Sequence, residues 1–353
     1  MSVAVITGAG GLVGAAAVRA FAPRVSSVLG IDNDMRATFF GESASTKWSI
    51  HRLVEEVPNF TPVALDIRDA EGIAGLFGDY GRSISVVIHC AAQPSHDWAA
   101  TDPHTDFTVN ANGTLAMLEA TRQHCDAATF IFCSTNKVYG DRPNSLPLET
   151  VGDRFEIAAD HEYYAHGIDE SMSIDASTHS IFGVSKAAAD LLVQEYGRYF
   201  GMNTVALRGG CLTGPGHSGA QLHGFLAHLM RCAAVEDPYT IFGYDGLQVR
   251  DNLHADDLAA AFLAICDSPT SGQAYNVGGG RFASCSMREA IAMCESITGK
   301  SMKITYDDTA RIGDHRWWIS DTRAMERDFG GWTPTHKVAA TLEAIYAEGR
   351  SRW

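Results

Sequence analysis

Short runs of β-branched and other apolar residues recur along the chain, with amphipathic segments between them. The apolar runs predict strands at 3–7, 27–32, 61–67, 85–92, 129–135, 203–210 and 274–279. The segments at 12–22, 69–80 and 108–124 have the pattern of helices that pack one face on a sheet. Strands that alternate with helices predict an α/β fold, a doubly wound parallel sheet of Rossmann type with helices on both faces.

The regularity of this pattern changes along the chain and predicts two domains. Residues 1–208 form the Rossmann domain, with a polar and irregular insertion at 142–180 that we expect over its site. From about 209 onward loops mix with short helices, so 209–353 is expected to form a smaller, mixed substrate-binding domain. Within it, about 248–279 returns to the Rossmann domain, and 336–351 predicts an amphipathic terminal helix.

Composition and charge narrow the classes of function. The 353 residues are 46% hydrophobic and 20% charged, as in ordinary globular proteins. No apolar run reaches the roughly 20 residues of a membrane span. A net charge of −15 argues against nucleic acid and a membrane surface as partners. An anionic ligand would therefore need a local group of arginines.

Cysteine and histidine usage predicts a reducing compartment and no metal site. The eight cysteines are scattered without a CxxC pair, and the amino terminus lacks the basic region of a signal peptide. We therefore expect reduced thiols and a cytoplasmic location. His161 and His166 lack a third partner at ligand spacing, so zinc is not expected there.

A glycine-rich turn after the first strand predicts a dinucleotide site. TGAGGLVG (7–14) places Gly8, Gly11 and Gly14 between the first strand and the first helix. Glycine allows the tight turn and the approach of backbone N–H groups to a pyrophosphate. Asp32 ends the second strand, where a carboxylate holds a ribose diol and repels a 2′-phosphate. NAD is therefore favoured over NADP.

Asp66 ends the third predicted strand and allows two interpretations. Its carboxylate could contact the adenine amine of the same cofactor. Alternatively, it could cap the helix that begins near Asp69, since aspartate is a favoured residue at helix amino termini.

The segment HSIFGVSK (179–186) raises the main chemical question. Ser185 and Lys186 are typical of an oxidoreductase site, but Phe182 occupies the position four residues before the lysine. A tyrosine there would accept a proton, because a phenol beside an ammonium ionises more readily. Phenylalanine has no proton to exchange, so either the base lies elsewhere or the protein only binds.

These segments resemble the extended short-chain dehydrogenase/reductase family, in particular its nucleotide-sugar epimerases and dehydratases. The resemblance covers essentially the whole chain and includes TGAGGLVG (7–14), LDIRD (65–69), IHCAAQ (88–93), VNANGT (109–114), STNKVYGD (134–141), SK (185–186), QVRDNLHADDLA (248–259) and RIGD (311–314). STNKVYGD is the narrowest motif, and with IDNDMRATFFG (31–41) it looks most like the CDP-paratose (CDP-tyvelose) 2-epimerases.

The resemblance implies roles for individual residues. It assigns NAD binding to Gly8, Gly11, Gly14, Asp32, Asp66, Ala91, Ala92 and Lys186. It assigns catalysis to Thr135, Lys186 and Asn110, with Phe182 in the position of the catalytic tyrosine. It assigns substrate binding to Thr135, Asn136, Lys137, Arg208, Arg250 and Arg311. Guanidinium groups suit a diphosphate because they are always charged and bind oxygens in pairs. Cys211, in RGGCLTGP, replaces an asparagine usual in many relatives.

Three replacements for the missing phenol are open. Lys186 is the first, because burial beside a cationic nicotinamide would lower its pKa. Lys137 is the second. The third is a titratable residue of the insertion, one of Tyr163, Tyr164, His166, Asp169, Glu170 and His179.

The resemblance implies an NAD-dependent epimerase that acts on a nucleoside-diphosphate sugar, at C2, through a transient keto-sugar. A nucleotide-sugar dehydratase or 4-epimerase is the alternative, although Asn136 and Lys137 replace the Asp-Glu pair usual in dehydratases. A non-catalytic NAD or sugar-nucleotide binder is the second alternative. A homodimer is expected through the helices that begin near Asn110 and Ser185, with an interface that includes Leu115, Leu118, Ala187, Leu191 and Leu192.

Overall fold

The computed structural model of the protein describes residues 2–217, 219, 224–309 and 313–353. Within these ranges the strands are β1 (Val3–Thr7), β2 (Ser27–Ile31), β3 (Phe60–Val63), β4 (Ile84–His89), β5 (Thr129–Thr135), β6 (Leu148–Val151), β7 (Arg154–Ile157), β8 (Thr204–Gly209), β9 (Cys211–Thr213), β10 (Tyr239–Phe242), β11 (Val249–His254), β12 (Gln273–Val277), β13 (Ser284–Ser286), β14 (Ile304–Asp307) and β15 (Trp317–Trp318). The α-helices are α1 (Leu12–Phe21), α2 (Met35–Phe40), α3 (Lys47–Glu56), α4 (Ala70–Tyr80), α5 (His96–Thr101), α6 (Pro103–Phe107), α7 (Gly113–His124), α8 (Ile181–Phe200), α9 (Phe225–Val235), α10 (Ala255–Asp267), α11 (Met287–Thr298), α12 (Arg323–Asp328) and α13 (Val338–Gly349).

A seven-stranded parallel sheet forms the centre of the molecule, in the order β3-β2-β1-β4-β5-β8-β12. The predicted Rossmann-type sheet is therefore confirmed. The strand order reverses between β1 and β4, and ligands of such sheets bind outside the carboxyl ends of the strands at this point. β3 is shorter than predicted because it is an edge strand, and Asp32 N donates to the carbonyl of its last residue, Val63.

Helices cover both faces of this sheet, as the alternating pattern predicted. Successive side chains of a strand point to opposite faces. Ala4 and Ile6 of β1 therefore pack in the cluster that contains residues of α1 and α10. Val3 and Val5 pack in a second cluster with residues of α4, α7 and α8. Burial on both faces explains why the strands are continuous apolar runs.

The carboxyl-terminal part of the chain builds smaller sheets beside the carboxyl ends of the central strands. β11 pairs with β9, β13 and β15, and β10 pairs with β14. Helices α9, α11 and α13 share a separate apolar cluster. Of the range 248–279, α10 packs on α1 and β12 joins the central sheet, whereas β11 belongs to the smaller sheet.

The insertion at 142–180 contains an antiparallel hairpin of β6 and β7. Its Ile157 and Ile168 pack with the buried side chains of Trp317 and Trp318. Glu156 accepts two hydrogen bonds from the guanidinium of Arg281. These contacts fasten the insertion to the carboxyl-terminal part of the chain. In the ranges that the structure describes, no helix combines the length and the apolar character needed to cross a membrane.

Candidate active site

A cavity of about 470 Å³ lies at the carboxyl ends of the central strands. Its wall runs from the glycine turn 8–14, past Thr135, Phe182 and Lys186, to Arg250 of the smaller sheet. This volume is in the usual range of small-molecule sites, and the position is the switch point of the strand order. The cavity therefore joins the predicted nucleotide and substrate residues in one space.

The glycine turn has the backbone geometry that the sequence predicted. Gly8 has φ +67°, and Gly11 N donates to Gly8 O at 3.0 Å. A Cβ at Gly14 would collide with the carbonyl oxygen of Gly8. Only glycine lets α1 begin this close to β1, and the amino terminus of α1 borders the cavity.

Asp32 lies at the end of β2 and lines the same part of the cavity. Its Oδ2 accepts from Gly10 N at 2.8 Å, and its Oδ1 accepts from Asp34 N at 2.8 Å and from Thr46 Oγ1 at 3.3 Å. These donors fix the carboxylate against the glycine turn, where a ribose bound beside the pyrophosphate would meet it.

Asp66 and Asp69 have separate positions, which decides between the two interpretations of Asp66. Asp69 caps α4, because its side chain accepts from Gly72 N at 3.0 Å. Asp66 lines the cavity and forms an ion pair with Arg68 at 2.6 Å. The hydrogen bond from Arg68 lowers the pKa of Asp66. The structure thus excludes Asp66 as the cap, and its carboxylate is ionised at the cavity wall.

Ala91 and Ala92 follow β4 and line the cavity, whereas Asn110 lies behind them. Ala91 N donates to Thr7 Oγ1 at 3.1 Å, which ties this loop to β1. Asn110 is buried in the π-helical turn before α7. Its side-chain amide contacts the backbone of Gln93 and the hydroxyl of Ser185 at 2.9–3.0 Å. Asn110 therefore connects the loop after β4 to α8, and it does not border the cavity.

Thr135, Asn136 and Lys137 line the cavity at the end of β5. The Oγ1 of Thr135 accepts from Lys137 N at 3.2 Å and donates to the Asn136 side chain at 3.4 Å. The Nζ of Lys137 donates to Gly313 O at 2.9 Å. Thr135 thus presents a hydroxyl at the end of the strand, and Lys137 connects this end to the carboxyl-terminal part.

Lys186 is buried on α8 and borders the cavity. Its Nζ donates to Cys133 O at 2.7 Å and lies 4.1 Å from the centroid of the Phe132 ring. Burial lowers the pKa of Lys186 to about 8.

The arginines predicted to bind the substrate have different environments. Arg208 does not border the cavity; its guanidinium forms a buried pair with Asp190 at 2.8 Å and donates to Tyr139 Oη at 3.0 Å. Burial acts to lower the pKa of Arg208, but Asp190 outweighs it and raises the pKa. In this structure Arg208 therefore contacts Asp190 and Tyr139 and lies away from the cavity in which its predicted substrate contact was expected.

Arg250 borders the cavity as predicted. Its Nη1 donates to Val249 O at 2.8 Å, and its Nη2 pairs with Asp314 Oδ1 at 2.6 Å. Arg311 lies outside the described residues. Cys211 also borders the cavity, and burial raises the pKa of its thiol to about 11. Arg250 thus presents a guanidinium to the cavity, and Cys211 adds a neutral thiol to the same wall.

Comparisons with known proteins agree with this arrangement. Residues 4–278 match the NAD dependent epimerase/dehydratase family. The chain belongs to this family. It is similar to the CDP-paratose 2-epimerase of Salmonella typhi, with 32% identity over 295 residues, which are 82% of this chain and 84% of that protein. The resemblance noted from the sequence is thereby confirmed.

More distant members of the epimerase/dehydratase family match nearly the whole chain. The dTDP-glucose 4,6-dehydratase of Escherichia coli is 25% identical over 93% of this chain and 87% of its own. Among solved structures, a tyrosine-to-phenylalanine mutant of UDP-glucuronic acid 4-epimerase from Bacillus cereus, in complex with UDP-4-deoxy-4-fluoro-glucuronic acid and NAD, has a TM-score of 0.80. It is 25% identical, and the match covers 99% of this chain and 100% of that chain.

Phe182, where this chain departs from the tyrosine of the family, lies in the first turn of α8 and borders the cavity. The ring of His96 packs against it, with the ring centroids 4.9 Å apart. His96 also borders the cavity, and its Nδ1 is 2.8 Å from Ser180 Oγ. Sequence reasoning missed His96 because it is remote in the chain from Phe182, although it follows closely after the IHCAAQ motif (88–93) at the end of β4.

The insertion does not supply the missing base in this structure. Among the described residues that border the cavity, none comes from 142–180. Glu170 accepts from Asn276 N at 2.6 Å, and His179 Nε2 contacts Ile174 O at 2.7 Å. Ile157 and Ile168 of the insertion pack against the carboxyl-terminal sheet, and Ser180 at its end contacts His96 of the cavity wall.

One group of metal-ligand side chains occurs among the described residues, at His254, Asp256 and His336. The two imidazole rings stack with centroids 4.1 Å apart. The Nδ1 of His254 accepts from Asp256 N at 3.1 Å, and the Nδ1 of His336 lies 3.0 Å from Asp257 Oδ1. These contacts cap α10 and attach the segment before α13, so they account for the group without an ion.

Proposed function

We propose that the protein is an NAD-dependent epimerase of a nucleoside-diphosphate sugar and acts through a transient keto-sugar. The observation that carries this proposal is the continuous cavity between the glycine turn, Thr135 with Lys186, and Arg250. Such a space suits a dinucleotide at one end and a sugar diphosphate at the other. The relationship to a CDP-paratose 2-epimerase supports C2 as the reacting carbon.

The residues at the glycine turn fit NAD. Gly8 and Gly14 allow the close approach of a pyrophosphate, and the fixed carboxylate of Asp32 suits a free ribose diol better than a 2′-phosphate. Lys186, which borders the same cavity, would hold the nicotinamide ribose. When bound, NAD supplies a reversible acceptor for the hydride of the sugar carbon. The chain must orient that carbon, accept the hydroxyl proton and return it.

At the other end, Thr135 and Arg250 would orient the substrate. Thr135 Oγ1 would bond the reacting sugar hydroxyl in place of its long contact with Asn136, and Arg250 suits the diphosphate through charge-assisted hydrogen bonds. Arg311 is proposed for the same diphosphate on the sequence motif alone. Arg250 now pairs with Asp314, so a diphosphate would compete with this carboxylate for the guanidinium.

A second function remains supported by specific observations. The dTDP-glucose 4,6-dehydratase and UDP-glucuronic acid 4-epimerase relatives favour a dehydratase or 4-epimerase. Asn136 and Lys137 follow Thr135 where a dehydratase would need an acid and a base, which argues against dehydration. Phe182 favours a non-catalytic binder unless another group replaces the phenol.

The test of the proposed function is turnover with a defined panel of substrates. The protein is incubated with CDP-, GDP-, UDP- and dTDP-sugars, while NADH absorbance is followed and products are analysed by NMR. We expect transient NADH and a C2 epimer with one nucleotide. A C4 epimer or a 4-keto-6-deoxy product would support the second function. Binding of substrate and NAD without cofactor reduction or solvent-hydrogen exchange would support the binder.

We further propose a homodimer through α7 and α8. Leu115 and Leu191 are 38% and 44% exposed, and together with Phe107 and Leu192 they line an apolar depression between the helices. Leu118 is fully buried in the core, so its predicted place in the interface is corrected. Light scattering should give a dimer mass for the wild type and a monomer mass for Leu191→Glu. A concentration-independent monomer of the wild type would refute the proposal.

A further inference from the structure

His96 is held beside Phe182 by contacts from two segments, the start of α8 and the loop at Gly313. Its ring meets the ring of Phe182 at 4.9 Å between centroids. Its Nδ1 lies 2.8 Å from Ser180 Oγ, and the same oxygen accepts from Gly183 N at 3.2 Å to cap α8. A side chain at Gly313 would collide with the imidazole, so this glycine closes the other side. The imidazole is thus fixed at the cavity, beside the position of the absent phenol.

We propose that His96 is the catalytic residue that accepts the proton of the sugar hydroxyl, in place of the tyrosine that this chain lacks. This inference rests on the proposed function. When Nδ1–H donates to Ser180 Oγ, the lone pair of Nε2 is the proton acceptor. Histidine is the side chain most often used for such transfer, since its unperturbed pKa is close to neutral pH.

The proton and the electrons balance in this step. As the hydroxyl O–H bond breaks, the proton moves to Nε2 of His96 and the oxygen forms the carbonyl of the keto-sugar. The carbon is oxidised by two electrons, which leave with its hydrogen as the hydride that NAD accepts in the proposed function. In the return step the carbonyl carbon takes the hydride on the opposite face, and His96 returns its proton to the oxygen.

Lys186 is less suited to this step by position and by charge. Its Nζ donates to the carbonyl of Cys133 and lies over the ring of Phe132, on the side of the central sheet. With a pKa of about 8, roughly nine in ten Lys186 side chains are protonated at pH 7. An ammonium is a donor, which suits a cofactor hydroxyl and not the acceptance of a proton. The Nζ of Lys137 is engaged with Gly313 O at 2.9 Å.

The test compares His96→Gln with the matched control His51→Gln, since His51 is exposed on α3 and does not border the cavity. The substrate is the member of the CDP-, GDP-, UDP- and dTDP-sugar panel that the wild type converts. His96→Gln should slow NADH formation by about 10²- to 10⁴-fold, the usual effect of losing a positioned base. Its calorimetric affinities for NAD and for the nucleoside diphosphate should stay within about twofold of wild type, because glutamine keeps a polar side chain there.

Two rescue experiments distinguish the loss of a catalytic base from the loss of the folded structure. External imidazole should restore NADH formation to His96→Ala, and Phe182→Tyr should restore at least tenfold to His96→Gln by returning the phenol. The thermal unfolding of every variant is measured alongside its rate of NADH formation, to show that the variant is folded.

The outcomes separate this inference from the proposed function. A wild-type rate in His96→Gln, with an active wild type, overturns the role of His96 and leaves the epimerase intact. Loss of rate that neither imidazole nor the phenol restores also overturns it, since His96 would then only support the fold. A wild type that reduces no bound NAD with any panel member overturns the proposed function and this inference together.

Discussion

The two ends of the cavity differ in how they are built. The nucleotide end, formed by the glycine turn 8–14 with Asp32 and Asp66, is determined mainly by backbone geometry at the ends of adjacent strands. The reacting end, formed by His96, Thr135, Phe182 and Lys186, depends on side chains from separate parts of the chain. At the nucleotide end every predicted residue borders the cavity, whereas at the reacting end Phe182 stands in place of an expected phenol and the unpredicted His96 lines the wall.

This difference shows which parts of a site can change without loss of the fold. Replacement of a tyrosine by Phe182 keeps the buried ring in the first turn of α8 and removes only a polar atom. A side chain at Gly8 or Gly14 instead meets backbone atoms of the loops that follow β1 and β4. The side chains of the reacting end can therefore change more easily than the glycine turn.

The largest expected effect comes from a substitution in the glycine turn at the nucleotide end. Gly14→Val places a Cβ against the carbonyl of Gly8, so the loop and α1 must separate. We expect the free energy of unfolding to fall by about 4 kcal/mol or more and NAD binding to be lost. Gly75→Ala is the control, because nothing lies within 4 Å of its added Cβ, and in an exposed helix it should stabilise by up to about 1 kcal/mol. Chemical denaturation and NAD calorimetry measure both; normal NAD binding by Gly14→Val would contradict the close-approach argument.

The central sheet could be predicted from the sequence because its strands are buried on both faces. Such strands must be nearly continuous runs of apolar and β-branched residues, and this pattern is local. The packing of the 142–180 insertion on Trp317 and Trp318 could not be predicted, because its polar composition does not reveal which surface it contacts. Leu118 was assigned to a dimer interface, but a helix periodicity alone does not distinguish a core face from an interface face.

Only part of the reacting end could be predicted. Thr135 and Lys186 lie in motifs adjacent to a strand and a helix, so local sequence identifies them. The contact between His96 and Ser180 joins residues 84 positions apart, and no local pattern contains it. Arg208 was assigned to the substrate by its neighbourhood, but its partner Asp190 lies on α8 and is visible only in the folded chain.

Arg208 offers the next largest effect, on stability and not on binding. Arg208→Ala leaves the carboxylate of Asp190 buried and unpaired, since this carboxylate is only 1% exposed. We expect a loss of about 3–5 kcal/mol in the free energy of unfolding. The double variant Arg208→Met with Asp190→Leu should recover much of it, because both charges are removed together. Urea denaturation of the wild type and both variants measures these changes in stability. An unchanged midpoint for Arg208→Ala would show that the pair contributes nothing to stability.

Lys186 gives a pH test of burial at the reacting end. Its folded pKa of about 8 is below the usual lysine value of 10.5, so between these pH values the unfolded state binds more protons. The stability of the wild type should therefore rise with pH across this window, by about 3 kcal/mol relative to Lys186→Met. Parallel denaturation curves from pH 7 to 11 measure the difference; exposed Lys303→Met serves as control. Identical pH slopes for wild type and Lys186→Met would mean that Lys186 is not desolvated.

Arg250 separates binding from folding at the substrate end. Arg250→Ala should weaken the binding of a nucleoside diphosphate by about 1.5–3 kcal/mol, the usual strength of hydrogen bonds to a charged group. Arg281→Ala is the matched control, because Arg281 pairs with Glu156 and does not border the cavity. The same measurement on Arg311→Ala tests the arginine of the RIGD motif. If calorimetry shows an unchanged nucleoside-diphosphate affinity in both Arg250→Ala and Arg311→Ala, these two arginines do not belong to the binding site.

The smallest expected effect concerns the choice of cofactor at the nucleotide end. The carboxylate of Asp32 is held by Gly10 N and Asp34 N, so it cannot turn away from a 2′-phosphate. We expect the wild type to bind NAD at least tenfold more tightly than NADP, about 1.4 kcal/mol, and Asp32→Ala to lose most of this preference. Asp69→Ala is the control, since Asp69 only caps α4 and its loss should cost about 1 kcal/mol of stability without changing the preference. Equal wild-type affinities for NAD and NADP would show that the ribose does not lie against Asp32, and the nucleotide end would then need a different arrangement of the cofactor.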